Sequence, residues 1–111
     1  MNYEQRDIIL VPFPFTDLST IKKRPVLVLS KTTDNELSDD LLTCAITSKH
    51  RNFPYSIAID DRNIEEGSLP VQSTILISKL FTIERGLVVN QIARLDIKTF
   101  EKKKKIFYDM I

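Results

Sequence analysis

Residues 7–30 read DIILVPFPFTDLSTIKKRPVLVLS, two apolar runs joined by a loop that ends in a basic cluster. Asp7–Pro12 is a short run rich in β-branched residues, and Arg24–Ser30 is a second, opened by Arg-Pro. Both have the length and composition of strands; a helix would need a longer periodic run. Between them lie Val11-Pro12 and Phe13-Pro14, then Phe15-Thr16-Asp17 and Lys22-Lys23-Arg24. Each proline restrains itself and the residue before it, and offers no N–H to a sheet. The first strand is therefore expected to fray or leave the sheet near Pro12, and the Phe-Pro-Phe segment to swing out as a stiff loop. Two readings of that loop are open. Aromatic faces beside Lys and Arg suit an unstacked RNA base and its phosphate. Alternatively, Phe13 and Phe15 cap the end of a barrel and the cations are solvated.

Length and composition bound the answer. A chain of 111 residues is one domain, 1–111, large enough to bury a core without staples. With 42% hydrophobic residues it is not disordered, and a net charge of +1 means that any nucleic-acid site must concentrate charge locally. Cys44 is alone, which excludes a disulfide framework and a cysteine-based metal set. Its apolar surroundings make it a small buried hydrophobe rather than an activated nucleophile. The opening Met-Asn-Tyr-Glu-Gln-Arg is unlike a signal peptide, and no apolar run reaches membrane-spanning length. The expectation is a soluble, cytoplasmic protein that needs no cofactor or metal and has no membrane partner.

The rest of the chain adds short strands. Lys31–Asp40 is polar and rich in turn formers, a surface loop with room for one helical turn. Leu41–Thr47 is a third, central strand, followed by the basic loop Ser48–Pro54. Tyr55–Ile59 alternates and runs into Asp60-Asp61. Arg62–Gln72 reads as a surface connection, Thr74–Leu80 as a strand, Phe81–Gly86 as a turn and Leu87–Leu95 as the last strand. Asp96 is a good N-cap for the one convincing helix, in which Ile97, Phe100, Phe107 and Ile111 fall near one face beside Met110. Lys102–Lys105 reads as a solvated block, since successive helical positions point in different directions. Many short strands with one terminal helix predict a small, strongly bent sheet or barrel with the helix packed on it. The pattern leaves a β-roll, an SH3-like barrel and an OB-like barrel open.

Four runs in order carry a resemblance. They are VPFPFTDLS (11–19), KRPVLVLS (23–30), CAITS (44–48) and EEGSLPVQS (65–73) followed by ISKLFTI (77–83). Together they resemble the PemK/MazF family of bacterial toxins over about Asp7–Leu95. The resemblance implies a mainly β, SH3-like small barrel with a C-terminal helix, and a homodimer. It implies a sequence-specific, metal-independent endoribonuclease (an mRNA interferase) of a type II toxin–antitoxin system that cuts single-stranded RNA. A cognate antitoxin would neutralise it by laying a disordered segment across the RNA groove, and the pair would bind DNA.

The family's catalytic pair falls on Arg24 and Thr47. The chemistry suits them. In metal-free RNA cleavage the 2′-hydroxyl attacks and charge builds on the nonbridging phosphate oxygens, which a permanently charged, planar guanidinium can clamp with two donors. The Thr47 hydroxyl would hold a phosphate oxygen, with Ser48 assisting. Phe13, Phe15, Thr16, Lys22, Lys23, Lys49, Arg51 and Lys79 complete the RNA-binding set that the resemblance implies. There are departures. Arg6 stands where the family usually has glycine before the first-strand Asp. An Arg and an Asp used by some members correspond to Leu76 and Ser78, so the general base is unassigned. His50 is the one histidine, in the basic loop, and could shuttle a proton or simply be solvated. Two other functions share the fold: a gyrase-poisoning toxin, which typically relies on a C-terminal Trp that this chain lacks, and a non-catalytic RNA- or protein-binding domain.

Overall fold

The computed structural model describes residues 2–14, 21–49 and 51–111, and the side chains of all of these except 13, 14 and 21. Among the described residues seven strands form one antiparallel sheet: β1 (Asp7–Pro14), β2 (Ile21–Val28), β3 (Asp40–Thr47), β4 (Ser56–Ile59), β5 (Ile64–Gly67), β6 (Ser73–Glu84) and β7 (Asn90–Leu95). Their order across the sheet is β4-β6-β3-β2-β1-β7-β5. Helix α1 (Thr32–Leu37) bridges β2 and β3, and α2 (Ile97–Asp109) closes the chain.

The sheet must curl. β4 and β5 are its two edges, yet only Asp60 and a three-residue 3-10 turn, Asp61–Asn63, separate them in sequence. The span from Ile59 to Ile64 reaches at most about 18 Å, whereas the edges of a flat seven-stranded sheet lie about 29 Å apart. Ile57 and Ile59 from one edge accordingly share a core cluster with Leu95, and Ile64 from the other edge packs on it. Phe100 of α2 enters the same cluster. The corner is fastened by side chains: the Asp60 carboxylate accepts from the Arg62 amide at 2.9 Å, and Asn63 accepts from the Asp60 amide at 2.9 Å. Asn63 also donates to Thr99 of α2 at 3.2 Å, and Asp96 caps α2 by accepting from the Thr99 amide at 2.8 Å.

At their core ends β1 and β2 are buried on both faces. Ile8 and Leu27 point into the cluster under α2, while Ile9, Val11, Val26 and Val28 point into a second cluster with Tyr3 and Leu41. This is why they read as continuous apolar runs rather than alternating ones. β6 serves both clusters. Cys44 pairs with Leu80 but Ala45 with Leu76, so extra residues of β6 bulge between them. Ile75 before the bulge and Ile77 at its start face the first cluster, and Phe81 and Ile83 beyond it pack against the second.

The structure revises five expectations. β1 does not leave the sheet at Pro12: it stays paired with β2 as far as Pro14↔Ile21, while its pairing with β7 stops at Leu10. Pro12 and Pro14 thus lie where β1 has lost its second neighbour, the place where a missing donor costs least. The reading of Phe81–Gly86 as a turn fails because β6 continues to Glu84, and Ile64–Gly67 is an edge strand within what read as a connection. Ile97 on α2 and Ile111 just past its end are exposed, and Phe100, Ile106 and Phe107, with the C-cap Met110, make the inward face. Lys103 departs from the solvated block: it is 6% exposed.

Candidate functional site

The register creates a cleft. β2 pairs with β3 only over Val26–Val28 against Thr43–Ala45, and then the two strands splay. Pro25 has no N–H with which to continue that ladder. Residues 11–14 of β1 and 21–24 of β2, paired with each other and, among the described residues, with no third strand, form a two-stranded arm. Between this arm and the end of β3 opens a cleft of about 270 Å³. Its floor is apolar, built from Leu10, Pro25, Ile46, Leu69 and Ile92. Lys22, Lys23 and Arg24 line it from the arm and Ser48 from β3's end, with Pro70, Val71 and Ser73 opposite. Lys22, Lys23 and Ser48 are exposed and Arg24 is half-buried.

Local bonds shape the far wall. Leu69 is buried, and its amide donates to the Asp61 carboxylate at 2.8 Å. The Ser73 hydroxyl donates to the Val71 carbonyl at 2.9 Å. Gly67 precedes this wall with φ +79, and a Cβ there would lie 2.3 Å from the Ile92 carbonyl oxygen. Only glycine fits that turn.

The structure brings together four of the residues singled out in the sequence: Arg24, Lys22, Lys23 and Ser48. Thr47 sits between the cleft residues Ile46 and Ser48 but does not line the cleft; its hydroxyl accepts from the Lys49 amide at 3.2 Å. That bond leaves the hydroxyl proton available to donate. Lys49 and Arg51 are exposed beyond it, and the Arg51 guanidinium lies 5.3 Å over the Phe53 ring. Lys79 is exposed on the bulge of β6, away from the cleft lining. Phe13 lies on the arm, and its side chain, together with Phe15, Thr16 and His50, lies outside the described residues. The apolar floor and the Leu69–Val71 wall carry no polar signature, so sequence chemistry gave them no role. Among the described residues no three His, Cys, Asp or Glu side chains converge as a metal set.

An apolar floor rimmed by cations can take a flat, unstacked base while clamping the phosphates on either side. No helix among the described residues is long and apolar enough to cross a membrane.

Solved structures share this architecture. A MazE-MazF complex from Deinococcus radiodurans superposes with a TM-score of 0.81 at 15% identity, covering 99% of this chain and 96% of that one. The Mycobacterium tuberculosis toxin MazF-mt6 gives 0.74 at 20% identity, with 94% of each chain covered. An endoribonuclease in complex with its cognate antitoxin, from a mycobacterial species, gives 0.77 at 13% identity, with 96% and 92% covered. The fold is thus that of the MazF-type toxins. No curated protein matches the sequence. Residues 4–110 match the family described as PemK-like, MazF-like toxin of type II toxin-antitoxin systems. The chain belongs to that family.

Proposed function

We propose that this toxin is a sequence-specific, metal-independent endoribonuclease that cleaves single-stranded mRNA in the cytoplasm and arrests growth. The observation that carries this reading is the convergence of Arg24, Lys22, Lys23 and Ser48 on one cleft with an apolar floor. In the proposed reaction a ribose 2′-hydroxyl attacks the adjacent phosphorus and the 5′-oxygen leaves, giving a 2′,3′-cyclic phosphate and a 5′-hydroxyl end. Arg24 clamps the nonbridging oxygens as negative charge grows on them. Thr47, at the end of β3, orients the phosphate through its free hydroxyl proton, with Ser48 beside it. Lys22, Lys23, Lys49 and Arg51 hold flanking phosphates, and aromatic residues of the 13–16 segment stack on bases. Lys79, set apart on β6, contacts RNA only if the strand runs beyond the cleft. The whole chain acts as one domain, pairs as a homodimer and is silenced by a cognate antitoxin; the last part is supported by structural neighbours that were solved as a complex with a cognate antitoxin and as a MazE-MazF complex.

The test is cleavage of a long single-stranded RNA in excess EDTA. Specific cuts by the wild type, reduced at least about a hundredfold in a folded Arg24→Ala variant, are expected. Cuts at the wild-type rate by Arg24→Ala would sink the assignment. One observation favours a second reading, a binding domain without catalysis: the described cleft residues include no carboxylate or imidazole to serve as a base. Retention of RNA without scission by the wild type would select it.

A further inference from the structure

A second cleft, sharing no residue with the first, opens between α2 and the strands β2, β3 and β6. It holds about 220 Å³. Leu29, Leu42, Leu80 and Phe107 give it apolar walls, and Lys103, Lys104 and Tyr108 complete the lining. Lys103 is the anomaly. It is 6% exposed, and among the described residues no carboxylate pairs with it. Its ammonium instead lies 5.3 Å from the centres of two rings, Phe100 and Phe107. Ring faces attract a cation but do not neutralise it. Burial pushes the ammonium's pKa below the ordinary lysine value, the Cys44 thiol opposes that shift, and Lys104 adds to it. Lys104 has a 3.4 Å contact to Glu101 on its own helix and lies 5.6 Å over the Phe100 ring. An inward-facing ammonium without a carboxylate partner costs more than an apolar side chain in the same place.

We propose that this cleft is a docking site for a partner peptide segment carrying one carboxylate side chain among apolar residues. The carboxylate seats between Lys103 and Lys104 and supplies the counter-charge that the fold omits. The occupant is a peptide on two grounds. The rim of the cleft is aliphatic and aromatic, with Leu42 44%, Leu80 40% and Tyr108 70% exposed. A small free acid would fill the pocket and leave that rim wet, whereas a peptide covers both. A nucleic-acid strand would have to strip water from its phosphates against leucines, with the two lysines and the Tyr108 hydroxyl as the cleft's side-chain donors to replace it. The inference does not rest on the ribonuclease reading.

The experiment uses the full-length protein and two fluorescent peptides, each a short leucine-rich segment with a central glutamate or, in the control, glutamine. Wild type binds the glutamate peptide at least about tenfold more tightly than the glutamine peptide, the preference expected of a desolvated charge pair. Lys103→Met removes that preference while retaining apolar binding. Should that variant fold poorly, Lys104→Gln weakens the preference in part. Leu80→Asp weakens both peptides and leaves the oligomeric state unchanged. Equal binding of the two peptides by the wild type would overturn the proposal. So would dissociation of a dimer by Leu80→Asp, which would place a second copy of the chain on this face.

Discussion

Arg6 shows how a non-glycine residue is held in a backbone conformation that favours glycine. Its φ is +83, in the region where glycine is at ease and other residues are strained. The local geometry is therefore the one a glycine would take, and it is over-determined by its neighbours. The Arg6 amide donates to the Val28 carbonyl at 3.0 Å, and its carbonyl accepts from the Leu95 amide at 2.9 Å. The side chain donates to the Leu95 carbonyl at 2.8 Å and to Glu65 at 3.1 Å. Gly67 meets the same demand without compensation, because a Cβ has no room against Ile92. Gly67→Ala is expected to cost about 2 kcal/mol in urea unfolding, and an unchanged midpoint would show that the turn relaxes. Cys44 is fully buried, and burial raises its thiol from 9.0 to about 12, against an opposing pull from Lys103. The native thiol should be silent toward a disulfide reagent at neutral pH and react fully in urea. The unfolded thiol loses its proton first, so the unfolded state binds fewer protons as pH rises above 9.0. That part of the stability is present below pH 9.0 and is lost toward about 12, and Cys44→Ala should show a shallower alkaline decline.

At the scale of elements, the β1–β2 arm is the feature that makes the first cleft. The core ends of β1 and β2 were legible as strands, because their apolar runs are buried on both faces there. The arm's reach beyond the sheet was not legible, since Lys22 and Lys23 read as loop residues until the pairing Phe13↔Lys22 and Pro12↔Lys23 is known. These lysines are exposed on the cleft wall. Replacing both with Gln should weaken RNA binding at every sequence and reduce the salt slope of log K by about 1.4, the value for two phosphate contacts on a single strand. A slope unchanged from wild type would remove them from the RNA path. β5 was invisible for a related reason: Ile-Glu-Glu-Gly shows no alternation, and only its pairing with β7 makes it a strand.

Across the whole molecule, one ion-pair network ties the lead-in segment and the curled sheet together. Arg94 on β7 binds Asp7 at 2.9 Å and Glu66 at 2.8 Å, and also contacts Glu4. Asp7 is 2% exposed and accepts further bonds from the Glu4 amide at 2.9 Å and Gln91 at 3.1 Å. Arg94→Met would leave that carboxylate buried beside an apolar stem. The expected loss is about 3 kcal/mol by denaturant unfolding, and Asp7→Asn in the same chain should recover part of it. No loss in the single variant would mean that water replaces the guanidinium at Asp7.

The sequence by itself determined the strand inventory of the centre, the capped terminal helix, the burial of Cys44 and the basic character of the Arg24 region. These are local properties, written in side-chain type, proline position and periodicity. The tertiary structure decided what no local pattern encodes. It joined the edge strands β4 and β5 through a short corner, and so curled the sheet. It shifted β6 against β3, and so exchanged the faces that its residues bury. It splayed β2 from β3 to open a cleft over an apolar floor, and it turned one of four consecutive lysines, Lys103, inward against two rings. Each of these depends on which strand lies beside which, and residues far apart in the chain set that.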